Sequence, residues 1–214
     1  MKTICVAAAI AVAGVGAASA APITVQSYDV INGESGSYNY WDDTYNGTGA
    51  TTVDRAPLSG GTGDLTDGVI ATTGWVAAEA PTGPGPYVGW AEPGVPIAFD
   101  FGQTVSLDSM TVWFDDSDGA GGVDHIAAVN VLDLGQVFSF GDPAGSGATS
   151  QTIGLGGLQT STLDIRIFGS ATWIFVSEIQ FDGTAPQQPV PVPGAVLFFG
   201  SAFPAMLRLI LRRR

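Results

Sequence analysis

Apolar side chains along the middle of this chain recur at every second position, and no stretch of it sustains a 3.6-residue period. "VPIAFDF" sets Ile97, Phe99 and Phe101 on one side, against Ala98 and Asp100 on the other. "LDSMTVWF" sets Met110, Val112 and Phe114 against Thr111 and Trp113, and "TLDIRIF" sets Leu163, Ile165 and Ile167 against Asp164 and Arg166. "IFVSEIQF" reads with Phe175, Ile179 and Phe181 on one face. Successive side chains of a strand point to opposite faces, so this pattern predicts half-buried strands and excludes amphipathic helices. Weaker strand candidates are residues 23–31, 126–132, 136–140 and 152–155. Gly-rich connectors such as "DDSDGAGGVD" and "GDPAGSGATS" separate them, in a chain with 30 Gly and 13 Pro. About eight strands with turn signals between them predict an all-β fold, a two-sheet antiparallel sandwich.

The ends read differently. Met1-Lys2, the apolar run at residues 6–15 and the small residues Ala18-Ser19-Ala20 predict a secretory signal peptide over residues 1–20. A run so short and so rich in alanine and glycine does not suit a membrane helix. Cys5, the single cysteine, lies inside this signal. The exported chain then has neither thiol nor disulfide, and its fold rests on its core. Residues 21–183 form one expected domain, and the proline-rich residues 184–193 an extended linker. In that domain Arg55 and Arg166 are the only Lys or Arg side chains, against 20 Asp and Glu. Such a surface repels phosphate backbones and excludes nucleic acid as a partner. Neutral glycans and cations suit it better.

Two stretches, "LTDGVIATTGW" (65–75) and "WIFVSEIQFDG" (173–183), flank "VGWAEPGVPIAFDFG" (88–102). An early Asp-Gly loop with a following Trp, then a strand ending in an Asp-x-Gly turn (Asp100-Phe101-Gly102), then a last strand with Ser177-Glu178-Ile179, resembles the discoidin, or coagulation factor 5/8 type C, group of galactose-binding-like domains. The resemblance covers roughly residues 28–183. It implies an eight-stranded jelly roll. It also implies a structural calcium site, with carboxylates from Asp67 and Glu178 and backbone carbonyls from Asp64, Val69 and Ser177. Thr72 supplies a carbonyl, a hydroxyl or both, although one extra residue before the Trp leaves Thr73 as the alternative. Calcium takes six to eight hard oxygen donors of these kinds. The competing reading is an Asx-type turn at Asp67-Gly68, with Glu178 meeting an arginine.

Members of that group bind glycans through loops at one end of the sandwich, using aromatic and polar residues. The stretch "SYNYWDDTYNGTG" (37–49) offers Tyr38, Tyr40, Trp41 and Tyr45, whose rings suit sugar faces. The alternative is that these rings cover an edge of the core. "FDDSDGAGGVDH" (114–125) offers Asp116 and Asp118 to a secondary cation or to sugar hydroxyls. The bidentate Glu of an EF-hand loop is missing, which favours a solvated acidic turn. Trp75, Trp90 and Trp173 read as mostly core. His125 is the single histidine, and without a second His or a Cys a transition-metal site is not expected. No "GxSxG" elbow supports a serine nucleophile, and no carboxylate pair stands out for glycoside hydrolysis. The chain is not expected to be an enzyme.

The C-terminal segment, residues 194–214, carries an apolar stretch too short for a stable span, with Arg208 interrupting and Arg212, Arg213 and Arg214 at the end. Val190-Pro191-Val192-Pro193-Gly194, the apolar stretch and the arginines resemble the "VPLPA"-type variant of the PEP-CTERM sorting signal. That resemblance implies an exported protein of an exopolysaccharide-making Gram-negative bacterium, transiently held in the inner membrane and cut by an exosortase-type membrane protease. Gly194 in place of Ala, and Arg208 so early, depart from the pattern. A plain C-terminal anchor is the competing reading. The expected function is binding of exopolysaccharide at the cell surface or in the matrix. The alternative is a structural or protein-binding envelope component.

Overall fold

The computed structural model describes residues 20–79 and 85–186. Residues 1–19 of the signal peptide and the sorting-motif residues read from the sequence lie outside that set. Among the described residues nine strands follow in chain order: β1 (Ala21–Ile23), β2 (Ser27–Ile31), β3 (Pro57–Gly61), β4 (Val88–Trp90), β5 (Val95–Asp116), β6 (Ile126–Val131), β7 (Gln136–Ser139), β8 (Gly147–Gly169) and β9 (Ile174–Thr184). One short helix, α1 (Trp75–Ala78), precedes β4. All strand pairings are antiparallel. Among the described residues no helix is long and apolar enough to cross a membrane.

Two long strands build the sandwich. Residues 95–100 of β5 lie between β2 and residues 162–167 of β8, and β6 and β7 extend that sheet. Register breaks between Asp100 and Val105, where Gly102 takes φ +70°. Only glycine adopts that conformation without steric cost. Beyond the break β5 exchanges β2 for β9, and residues 105–116 lie between β8 and β9 in the second sheet. β1 and β4 line the far edge of β9. The two "separate" segments at 97–101 and 107–114 are therefore one bent strand serving both sheets. β3 and β4 were not legible as strands, being short and glycine-bearing.

The alternating residues meet between the sheets. Ile97, Phe99, Met110, Val112, Phe114, Leu163, Ile165 and Ile167 are all buried in one cluster. Phe99 of one sheet packs edge-on against Phe181 of the other, centroids 5.0 Å apart.

One assignment is corrected. Opposite β5, Trp113 pairs with Glu178 but Phe114 pairs with Val176, so Ser177 is an extra residue. Such a bulge resets the alternation. Ile174 and Val176 join Ile179 and Phe181 in the main core, whereas Phe175 lies in a second cluster with Tyr40, Ala71, Tyr87 and Val123.

Candidate functional site

The bulge in β9 meets the Asp-Gly loop. The Gly68 N–H donates to Glu178 Oε2 at 3.2 Å, and the Ala71 N–H to Ser177 Oγ at 3.3 Å. The Ile179 N–H donates to the Leu65 carbonyl at 2.8 Å. Three bonds thus stitch residues 65–71 to the last strand. Within the loop, Asp67 Oδ1 accepts the Val69 N–H at 2.7 Å, an Asx turn, with Gly68 at φ +85°. Glu178 meets a backbone N–H rather than an arginine.

Carboxylates crowd around this loop with little positive charge to offset them. The Asp64 carboxylate is buried and accepts from the Asp43 N–H at 3.2 Å and from the Thr44 hydroxyl. The buried Asp42 accepts the Asp64 N–H at 2.8 Å and the Tyr28 hydroxyl. Burial pushes Asp64 up to about 7, with the charges of Asp42, Asp43 and Asp67 adding to it. Burial raises Glu178 to about 7, with Asp67 again contributing. Asp42 rises to about 6, burial outweighing the Tyr28 hydrogen bond. Among the described residues, Arg55 pairs with Glu34 and Glu92, at 2.8 and 3.0 Å, and offers nothing here. Asp67, Val69 and Thr72 are exposed on the loop, and Ser177 and Glu178 are buried beneath it. Loop carbonyls and the two carboxylates are donors of the kind calcium takes.

The second cluster lies around Phe175. Tyr40 packs on Phe175 with centroids 4.5 Å apart, and Trp173 and Trp75 approach Tyr40 at 5.4 and 6.0 Å. Tyr38 meets Trp75 at 6.0 Å. Tyr40 is 2% exposed and Tyr45 is 6% exposed, so neither presents a ring face to a ligand. This corrects their expected place among ligand-binding rings. Tyr45 instead donates to the Tyr28 carbonyl at 2.5 Å and accepts the Gly61 N–H at 2.8 Å. Trp41 is half-buried and donates through Nε1 to Asp54 at 2.7 Å, apart from the Phe175 cluster. Tyr38, Trp75 and Trp173 are half-buried around that cluster, and they are the rings this end of the molecule offers. Trp75 and Trp173 pack against this core cluster, as expected of mostly core residues, but each leaves part of its ring exposed, whereas Trp90 is fully buried. What hid them is that each adjoins a strand motif, where tryptophan ordinarily packs inward.

Asp116 and Asp118 part company. Asp116 is buried at the end of β5, whereas Asp118 is exposed with φ +48° and donates its N–H to Asp116 at 3.4 Å. The neighbouring Asp115 is buried and accepts the Trp75 N–H at 2.6 Å and the Ser117 hydroxyl. It thereby fixes the start of α1 beside the acidic turn.

No family model and no curated protein matches the chain. Among solved structures it is similar to SpGH29, with TM-score 0.41 and 15% identity over 78% of this chain and 28% of that one. It is also similar to a fucolectin from striped bass serum, with TM-score 0.34 and 16% identity over 78% of this chain and 80% of that one. A third is the GH31 CBM32-2 module bound to GalNAc, with TM-score 0.31 and 15% identity over 55% of this chain and 90% of that one. The chain spans little more than a quarter of the first. All three likenesses are remote.

Proposed function

We propose that this chain is an exported, non-catalytic carbohydrate-binding protein of the cell surface or extracellular matrix, with a galactose-binding-like sandwich. The observation that carries the reading is the group of half-buried rings, Tyr38, Trp75 and Trp173, gathered over Phe175 at one end of the sandwich. Flat apolar ring faces with polar neighbours suit sugar rings. Two arginines against 20 carboxylates in the domain favour a neutral glycan over a polyanionic one.

Calcium is the structural ion we propose, held by the Asp-Gly loop and Glu178 and stiffening the fold rather than doing chemistry. The remaining parts of the reading rest on the sequence. The tail from Val190 to Arg214 is an address read by an exosortase-type protease, the protein is transiently held in the inner membrane of a Gram-negative bacterium, and exopolysaccharide is its glycan.

The test is retention of the protein on exopolysaccharide from the host, with calcium and with chelator. Saturable retention that is lost in Trp173→Ala, in a protein that still melts cooperatively, is the expected result. A folded parent protein that is not retained in either condition overturns the glycan reading. Recovery of the mature envelope protein with its tail intact overturns the processing reading.

A further inference from the structure

A cluster distinct from the Asp-Gly loop lies where β5, the turn before β6 and the β7–β8 connector come together. Asp116, Asp124, His125 and Asp142 each bring one donor atom to a space in which all four atoms lie within 4.8 Å of one another. His125 Nδ1 is 2.9 Å from Asp124 Oδ1 and 3.9 Å from Asp142 Oδ1. In sequence these residues span 27 positions on the end of β5 and two connectors. Asp116 was read as a cation candidate only together with Asp118, and the single histidine gave no reason to expect a transition metal.

Acidic groups on a surface gather without any ion, so the cluster alone decides nothing. The deciding residue is Asp116. It is 1% exposed, and its Oδ2 finds no hydrogen-bond donor. A buried carboxylate oxygen without a partner is costly, and native proteins satisfy such groups with a donor or a cation. Among the described residues the ion pairs involve only Arg55 and His125, and Arg55 is committed to Glu34 and Glu92. No lysine or arginine fills the gap. His125 is itself held in place, since the Ser170 hydroxyl donates to its carbonyl at 2.8 Å and the Ser170 N–H to the same oxygen at 3.0 Å.

From this geometry we infer that Asp116, Asp124, His125 and Asp142 form a binding site for a divalent first-row transition cation, zinc or manganese. The donor set selects the class. Three carboxylates and one imidazole suit zinc and manganese, whereas calcium takes oxygen donors and gains nothing from an imidazole. Bonds of about 2.0–2.2 Å to each donor of a tetrahedral ion set neighbouring donor atoms roughly 3.5 Å apart, so His125 Nδ1 and Asp124 Oδ1, now 2.9 Å apart, open slightly and the more distant atoms draw in. Asp142, exposed on its connector, is the member free to do so. Binding replaces the hydrogen-bond contact between His125 Nδ1 and Asp124 Oδ1 and pins the end of β5 and the two connectors to one another. Val123, beside Asp124, bridges to Trp173, so the pin also steadies one ring of the aromatic patch. The site does not depend on the glycan reading.

The experiment uses the untagged full chain, stripped with chelator and titrated with zinc, manganese and calcium salts in turn. His125 is the single histidine, so its imidazole resonances report this site without ambiguity. The expected result is one zinc per chain with a shifted imidazole spectrum, broadening of the same signals by manganese, and no shift with calcium. Asp142→Asn, an exposed change that spares the fold, weakens zinc binding at least tenfold, and His125→Gln abolishes it. Imidazole signals that stay in place at stoichiometric zinc overturn the proposal. Zinc binding that is unchanged in both variants overturns it equally, as does a calcium-induced imidazole shift that zinc does not reproduce.

Discussion

Glu178, on the last strand, accepts the backbone N–H of Gly68 across 110 residues of sequence. This bond holds the Asp-Gly loop against β9, and burial next to Asp67 makes its carboxylate costly to ionise. Glu178→Gln keeps an acceptor for Gly68 but loses the charge. Its melting temperature without calcium is therefore expected to stay near the parent's, while calcium-dependent stabilisation disappears. Glu178→Ala loses both, and is expected to cost about 1–3 kcal/mol even in chelator. Melting curves in calcium and in chelator check this. Parent curves that coincide in the two conditions remove the calcium site.

Tyr40 and Trp41 are adjacent in sequence but differ in role. Tyr40 is enclosed by Phe175, Trp173 and Trp75. Truncating a buried aromatic costs about 3–5 kcal/mol, so Tyr40→Ala is expected to lose much of the fold's stability. Trp41 is half-buried with one bond to Asp54, and Trp41→Ala is expected to cost roughly 1 kcal/mol. Urea titrations of the two variants separate these outcomes. Similar midpoints for both would contradict the burial difference.

These two residues also show what the sequence could and could not reveal. The strands at 97–101, 110–114 and 163–167 were legible because strict alternation fixes which side chains face inward. The run at 174–181 misled because a bulge at Ser177 shifts the alternation by one residue, and nothing in "IFVSEIQF" marks a bulge. The aromatic stretch at 37–49 was legible as unusual, but a ring's exposure depends on what packs over it. Phe175, 135 residues after Tyr40, is not a local signal. The pairing of the Asp-Gly loop with Glu178 came from motif order. The convergence of Asp116 with His125 and Asp142 did not, since only the topology brings their connectors together.

Glu79 sets a pH dependence. It is 1% exposed, its Oε1 accepts the Tyr87 N–H at 3.1 Å, and Oε2 finds no partner. Burial pushes it up to about 7, with Asp43 and Asp64 adding. In the unfolded chain it titrates near an ordinary glutamate, about 4.3. The folded state therefore holds its proton over a window where the unfolded chain has released it. Stability from this group is full below pH ~4, declines as pH rises, and is gone above pH ~7. At about 1.4 kcal/mol per pKa unit the decline is on the order of 3–4 kcal/mol. Denaturant titrations from pH 4 to 8 in chelator are expected to show a decline with rising pH that is reduced in Glu79→Gln. A variant with the parent's pH profile would assign the decline to other carboxylates.

Two glycines carry very different costs for the same substitution. A Cβ on Gly33 would sit 1.8 Å from the Tyr40 carbonyl oxygen and 2.9 Å from that of Gly89. Both neighbours are backbone, and the Tyr40 carbonyl is itself bonded to the Gly89 N–H at 2.9 Å, so neither can yield without breaking that pairing. The Gly33 N–H is in turn held by Asn32 Oδ1, which also accepts the Asp42 N–H. Gly33→Ala must push this segment off β4 and disturb Tyr40, and a loss above ~4 kcal/mol is expected, among the largest that single changes produce. Gly60 has φ +73° and nothing within 4 Å of a built Cβ. Gly60→Ala meets only the left-handed backbone penalty, about 1–2 kcal/mol. Urea midpoints of the two variants decide between close packing and backbone conformation as the reason for glycine. A Gly33→Ala protein as stable as Gly60→Ala would mean that the segment at Tyr40 can move aside, and that the aromatic patch built on it is softer than its packing implies.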